Sequence, residues 1–149
     1  MKVLIIDNYD SFTFNLFQYC GEILDKKVSS ANQITVKRNN QISLNDLQLS
    51  NPDKIIISPG PGSPEQKKYF GICQEIILKF GSKIPILGIC QGMQMMGIKF
   101  GSKLVKVKNH IRKNHKLINL SKEKFPKKTN SYHQYSLKSC PKNFFITTK

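Results

Sequence analysis

Cys90 lies between two glycines in Gly88-Ile89-Cys90-Gln91-Gly92, directly behind the apolar run Ile84-Pro85-Ile86-Leu87. A thiol at the apex of a strand-to-helix turn is the arrangement of a nucleophile elbow. Flanking glycines there permit a sharp, strained backbone and lift the side chain clear of its surroundings. At a helix N-terminus the thiol also meets the positive end of the helix dipole, so the spacing predicts a pKa lowered toward the nucleophilic thiolate. An isolated cysteine is ordinarily a small buried hydrophobe; the strand, turn and helix around Cys90 are what single it out.

A second loop fits the first. Lys54 to Ile57 is a short β-branched run, the pattern of a buried parallel strand, and it ends in Ser58-Pro59-Gly60-Pro61-Gly62-Ser63-Pro64-Glu65. Alternating Pro and Gly makes a rigid turn with backbone open at the glycines. Ligands of α/β sheets bind at the carboxyl ends of the strands, so this loop and Cys90 are expected to face one crevice. The opening Ile5-Ile6-Asp7-Asn8-Tyr9-Asp10-Ser11-Phe12 follows a strand in the same way. Taken alone, the Pro/Gly segment also reads as an ordinary crossover turn.

Together, IDNYDSFTFNL (Ile6 to Leu16), ISPGPGSPE (Ile57 to Glu65) and GICQGMQ (Gly88 to Gln94) resemble the class I glutamine amidotransferases. Within that family they are most similar to the glutaminase subunits of anthranilate and aminodeoxychorismate synthases. The match is colinear from Met1 to about Val107. The resemblance implies an α/β fold with an open, mostly parallel twisted sheet flanked by helices, flavodoxin-like. It implies that Cys90 attacks the side-chain amide of glutamine, that ammonia leaves, and that a γ-glutamyl thioester is hydrolysed. By the same carry-over, the backbone N–H groups of Gly60 and Gln91 form the oxyanion hole, and Gly62 and Gln94 hold the bound glutamine. The implied partner is a chorismate-using synthase subunit that receives the ammonia.

The family's base is a His in a His-Pro-Glu motif, and the sequence contains none. His110, His115 and His133 are its histidines, and none has a carboxylate two residues on. With Phe144 to Lys149 reading as a strand near the end, the expectation is one domain over 1–149, C-terminally incomplete, with the family's last strands and helix missing. Triad residues act as a unit, so a chain without the base is expected to bind better than it turns over.

Asn130-Ser131-Tyr132-His133-Gln134 resembles a Tyr-His-Ser segment of the chorismate-enzyme subunits and equally an Asn-Ser-Tyr-His pattern of γ-glutamyl hydrolases and sugar-modifying relatives. Tyr132, His133 and Gln134 are thereby expected to contact the α-amino and carboxylate groups of glutamine; a polar turn is the plain alternative. Two other functions stay open: a γ-glutamyl hydrolase or an amidotransferase of sugar or capsule biosynthesis, and a non-catalytic remnant.

Composition bounds these readings. A chain of 149 residues is about one domain. No apolar run of membrane-spanning length and no signal-peptide pattern is present, so a cytoplasmic location is expected. Cys20, Cys73, Cys90 and Cys140 are spread without paired spacing, which favours neither a disulfide framework nor a zinc site; no cofactor and no metal are expected. The net charge of +15 raises nucleic-acid binding. Of 24 basic residues, however, only Arg38 and Arg112 are arginines, the lysines are scattered, and aromatic residues do not interleave with them. Nucleic-acid binding is therefore not favoured.

The elements needed to position these motifs alternate. Strands are expected at Val3–Ile6, Ile34–Lys37, Lys54–Ser58 and Ile84–Ile89. Helices are expected after Ser11, after Ser43, from about Gln66 to Phe80, and from Gln91 to Phe100 with Gly101 ending it. In the last helix Met93, Met96 and Ile98 read as core filler. Alternation of this kind specifies a parallel sheet, and from Leu104 the pattern becomes strand-rich and irregular.

Overall fold

The computed structural model describes residues 1–27, 32–107, 113–116, 118, 128–131 and 133–147. They fall into two compact units, Met1–Lys99 and Phe100–Lys149.

The first unit is built on four parallel strands: β1 (Lys2–Asp7), β2 (Gln33–Arg38), β3 (Lys54–Ile57) and β4 (Ile86–Gly88), in the order β2-β1-β3-β4. β1 is central, and its Val3 to Asp7 are all buried. A strand covered on both faces needs apolar residues without alternation, which the run Val-Leu-Ile-Ile supplies. Ile55, Ile56 and Ile57 of β3 stand opposite Leu4, Ile5 and Ile6 of β1. Leu4, Ile6, Ile55 and Ile57 pack on one face. Val3, Ile5 and Ile56 pack on the other.

The second of these faces is covered by α1 (Thr13–Lys27) through Leu16, Phe17, Cys20 and Leu24. The first receives α2 (Leu44–Ser50), α3 (Lys67–Phe70), α4 (Cys73–Phe80) and α5 (Gln91–Lys99) through Leu47, Phe70, Cys73, Ile76, Ile77, Phe80 and Met95. Fully burying one such aliphatic or aromatic side chain contributes about 1.5–3 kcal/mol, so this face carries most of the unit's hydrophobic stabilisation. The open parallel sheet with helices on both faces is the expected architecture.

The elements of this unit depart from expectation in three places. The helix expected from Gln66 to Phe80 is two helices, because Gly71 takes φ +47° and packs against the Asn39 carbonyl, where any Cβ would collide. The face Phe70, Cys73, Ile76, Ile77 and Phe80 is nonetheless buried as expected. In α5 Met95 fills the core and the half-buried Met96 packs against it as expected, while Met93 is exposed. α1 starts at Thr13, two residues past the expected Ser11 cap. Ser43 does cap α2: its Oγ accepts the Asp46 N–H at 3.1 Å while Asp46 Oδ2 accepts the Ser43 N–H at 2.9 Å.

In the second unit, β5 (Leu104–Lys106) pairs antiparallel with β8 (Tyr135–Leu137), and β6 (Lys113–Lys116) pairs antiparallel with β7 (Lys128–Ser131). Ser102 Oγ donates to the Ser139 carbonyl at 2.7 Å, and the Phe100 and Phe144 rings lie 5.0 Å apart. Residues 144–147 form no strand, contrary to expectation. Phe144 is instead turned back, its N–H donating to the Pro141 carbonyl at 3.1 Å and its carbonyl accepting from Cys140 Sγ at 3.2 Å. Among the described residues no helix is long and apolar enough to cross a membrane, and no group of three His, Cys, Asp or Glu could hold a metal ion.

Candidate functional site

β3 and β4 are parallel neighbours, with Ile57 opposite Gly88. Their carboxyl ends therefore release the Ser58–Glu65 loop and the Cys90 turn side by side. The Gln91 side chain closes the gap, its Nε2 donating to the Gly62 carbonyl at 2.6 Å. Gly60 is also adjacent: a Cβ built on it would lie 3.5 Å from Gln91 Oε1. The two loops thus meet, as their placement on the sheet predicts.

The elbow gets its shape in a different way from the one its glycines suggest. Cys90 itself carries the strain, at φ +53°, a region that costs an L-residue about 1 kcal/mol or more. Gly88 and Gly92 have no positive φ and are required by close approach. A Cβ on Gly88 would meet Gly92 C and Met93 N at 2.6 Å, and one on Gly92 would meet the Ile57 carbonyl oxygen at 2.5 Å. The start of α5 therefore lies directly on β3 and β4. The Gly92 N–H donates to the Ile89 carbonyl and the Gln94 N–H to the Cys90 carbonyl, each at 3.0 Å, so the helix begins at Cys90.

The electrostatics correct one expectation. Burial pushes the half-buried Cys90 thiol above its ordinary pKa, and the nearby Asp10 carboxylate pushes the same way, while a hydrogen bond from the Gln91 N–H pulls it down. The balance is upward, so the lowered pKa expected from the helix terminus is overturned: one donated N–H does not offset lost hydration and a facing negative charge. Cys73, fully buried, is pushed up to about 12.

The loop after β1 is part of the same end of the sheet. Its Asp7 carboxylate accepts from Thr13 Oγ1 at 2.8 Å and from the Asp10 N–H at 3.2 Å, and Asp10 Oδ1 accepts the Phe12 N–H at 2.9 Å. Arg38 lies over the Tyr9 ring at 4.6 Å and 3.8 Å from Asp7, so one of the chain's two arginines is engaged in this loop. Asn8 is fully buried and bonds to Ser58. The sequence motif marked this segment without giving its residues tasks; the bonds of Asn8, Asp10 and the Gln91 side chain are contacts that residue types and spacing did not reveal.

Of the other expected site residues, Gln94 is buried on the first turns of α5, at 3 % exposure. Gly62 takes φ +70° and packs under the Tyr69 ring. Gly60 is half-buried against Asn8. His133 and Gln134 are exposed in the second unit, where the Gln134 carbonyl accepts the Val107 N–H at 2.9 Å. Tyr132 and His110 lie outside the described residues. A glutamine contact by Tyr132, His133 or Gln134 rests on the sequence resemblance alone.

Comparison with known proteins gives the family. The family model described as glutamine amidotransferase class-I matches residues 4–149. Anthranilate synthase component 2 of Leptospira biflexa is 50 % identical over 106 residues, covering 71 % of this chain and 52 % of that protein. The component 2 of Acetivibrio thermocellus is 54 % identical over 96 residues, covering 64 % of this chain and 94 % of its own sequence. The bifunctional protein TrpGD of Thermotoga maritima is 38 % identical over 156 residues, 99 % of this chain and 25 % of that protein. The chain thus spans about half the length of the Leptospira protein and a quarter of the Thermotoga one. Among solved structures, a GMP synthase subunit from Thermoplasma acidophilum superposes with a TM-score of 0.76 at 19 % identity, covering 99 % of this chain and 72 % of that one. A glutamine amidotransferase from Thermotoga maritima gives 0.71 at 16 % identity, covering 99 % and 66 %. With a family model matching nearly its whole length, the chain belongs to the class I glutamine amidotransferases.

Proposed function

We propose that this chain is the nucleophile-bearing part of a glutaminase that releases ammonia from glutamine for a chorismate-using synthase partner. Cys90 is the nucleophile. Its sulfur attacks the side-chain amide carbon, the oxyanion that forms is met by the N–H groups of Gly60 and Gln91, ammonia leaves, and water then hydrolyses the γ-glutamyl thioester to glutamate. Paired N–H donors of this kind stabilise the oxyanion by a few kcal/mol. Gly62 and Gln94 hold the glutamine. The observation that carries the proposal is the bond from Gln91 Nε2 to the Gly62 carbonyl, which supports a single site made of the elbow and the Pro-Gly loop. The synthase partner is inferred from the similarity to proteins named anthranilate synthase component 2.

Thiolate formation, ammonia departure and thioester hydrolysis each need a proton acceptor or donor. The 149 residues hold no His-Pro-Glu sequence, and the Cys90 thiol is pushed up rather than down. The chain alone is therefore expected to show little or no glutamine hydrolysis. The test is the steady-state glutaminase rate of the native chain, Cys90→Ala and His133→Ala, with and without a chorismate-using synthase subunit. Turnover indistinguishable from Cys90→Ala agrees with the expectation. Robust turnover lost in both variants makes His133 the base and overturns it. Robust turnover that survives Cys90→Ala removes the proposed nucleophile.

A further inference from the structure

The buried polar residues at the carboxyl ends of β1, β2 and β3 form one network to which the glutaminase proposal gives no task. Asn8 is its centre. Its N–H donates to Ser58 Oγ and its Nδ2 to the Ser58 carbonyl, each at 2.9 Å. Its Oδ1 accepts from Asn39 Nδ2 at 2.8 Å and from Cys73 Sγ at 3.2 Å. Ser58 Oγ in turn donates to the Pro59 carbonyl at 2.7 Å, and Asn39 Nδ2 also donates to the Tyr69 carbonyl at 2.6 Å. Polar groups this deep are costly unless every partner is in place, so the network locks into one arrangement or fails.

What it locks is the start of the Pro-Gly loop. Ser58, the residue held twice by Asn8, lies two positions before Gly60. Gly60 itself rests on Asn8: a Cβ there would be 2.7 Å from Asn8 Cβ and 3.0 Å from the Asn8 carbonyl oxygen. The far side of the loop is held by Gln91 at Gly62. We propose that Asn8 is a positioning residue for glutamine attack: it clamps Ser58 and forms the floor under Gly60, and so fixes the direction of the Gly60 N–H without touching substrate. This rests on the glutaminase proposal for Cys90 and Gly60.

Two alkylating probes of the full chain separate positioning from mere structure. The chloroketone analogue of glutamine reacts when its carbonyl is held by the N–H donors while the Cys90 sulfur displaces chloride, forming the S–C bond. Iodoacetamide needs only an accessible thiolate. The readout is the ratio of the two rates at Cys90, followed by mass spectrometry. In Asn8→Ala the ratio is expected to fall about tenfold or more, and in Ser58→Ala by a smaller factor, with the iodoacetamide rate little changed. Cys73→Ala removes a donor to the same Asn8 oxygen but no bond to the loop, so it should lower the melting temperature and leave the ratio alone. An unchanged ratio in Ser58→Ala and in any folded Asn8→Ala overturns the inference, as does an equal fall in Cys73→Ala. If Asn8→Ala does not fold, Ser58→Ala decides. A native chain with no preference for the glutamine analogue sinks the glutaminase proposal itself, and this inference with it.

Discussion

Replacing Gly92 by Ala should destabilise the protein although Ala is the better helix former, and replacing Gly21 by Ala should do the opposite. Both glycines lie in helices, Gly21 in α1 and Gly92 in α5. Nothing stands within 4 Å of a Cβ at Gly21, so Ala there stabilises by about 0.5–1 kcal/mol through helix propensity. At Gly92 the new methyl would sit 2.5 Å from the Ile57 carbonyl oxygen and 3.1 Å from Ile57 Cγ2. Relief requires α5 and β3 to part by nearly an ångström. The Ile57 carbonyl is not free to move, since it accepts the Ile89 N–H at 3.0 Å, the bond that ties the last residue before Cys90 to β3. Overpacking against fixed neighbours costs about 1–3 kcal/mol; with part of the propensity gain offsetting it, the net loss is about 1–2 kcal/mol. The assay is urea unfolding of the native chain and both variants, comparing midpoints at unchanged slope. A midpoint for Gly92→Ala raised as far as that of Gly21→Ala would refute the close approach that shapes the elbow.

Three further outcomes follow from the same contacts. Cys73 is pushed up from 9.0 to about 12 by burial, so between those pH values the unfolded chain has released a proton that the folded chain retains; stability then falls as pH rises, and Cys73→Ala should flatten that loss in urea titrations from pH 9 upward. Asp10 raises the Cys90 pKa by its charge, so Asp10→Asn, which keeps an acceptor for the Phe12 N–H, should move the pH profile of Cys90 alkylation to lower pH; a shift to higher pH would contradict the sign. Gln91→Ala keeps its N–H but loses the bond to the Gly62 carbonyl, worth about 0.5–1.5 kcal/mol, and should weaken saturation by the glutamine chloroketone by up to about tenfold while leaving iodoacetamide labelling of Cys90 in place.

The parallel sheet was legible because β1 and β3 carry unbroken β-branched and leucine runs, a pattern that only a strand covered on both faces requires. The pairing of the Pro-Gly loop with Cys90 was legible for the same reason: both follow adjacent parallel strands at the end where sites form. Local periodicity hid the break at Gly71, since Phe70, Cys73, Ile76, Ile77 and Phe80 keep helical spacing straight across it. What breaks the helix is the Asn39 carbonyl, more than thirty residues away in sequence. That Met95 rather than Met93 fills the core likewise depends on how α5 is rotated against β3, where Gly92 lies in close contact with Ile57. The upward push on the Cys90 pKa comes from tertiary burial and Asp10, neither visible in the elbow motif. Asn8 was in plain view within the opening motif, yet its task emerges only when Ser58 and Gly60 are set beside it.

Cys90 as the nucleophile of a glutamine site is tested most directly by mapping where the glutamine chloroketone attaches. Cys140 is exposed, Cys20 half-buried and Cys73 sealed in the core, so a reagent selected by accessibility alone marks Cys140, and only one selected by the Gly60, Gly62 and Gln91 surroundings marks Cys90. Peptide mass spectrometry of the native chain should find the adduct on Cys90, with labelling suppressed by excess L-glutamine. An adduct first on Cys20, Cys73 or Cys140, or one on Cys90 that L-glutamine does not suppress, would contradict it.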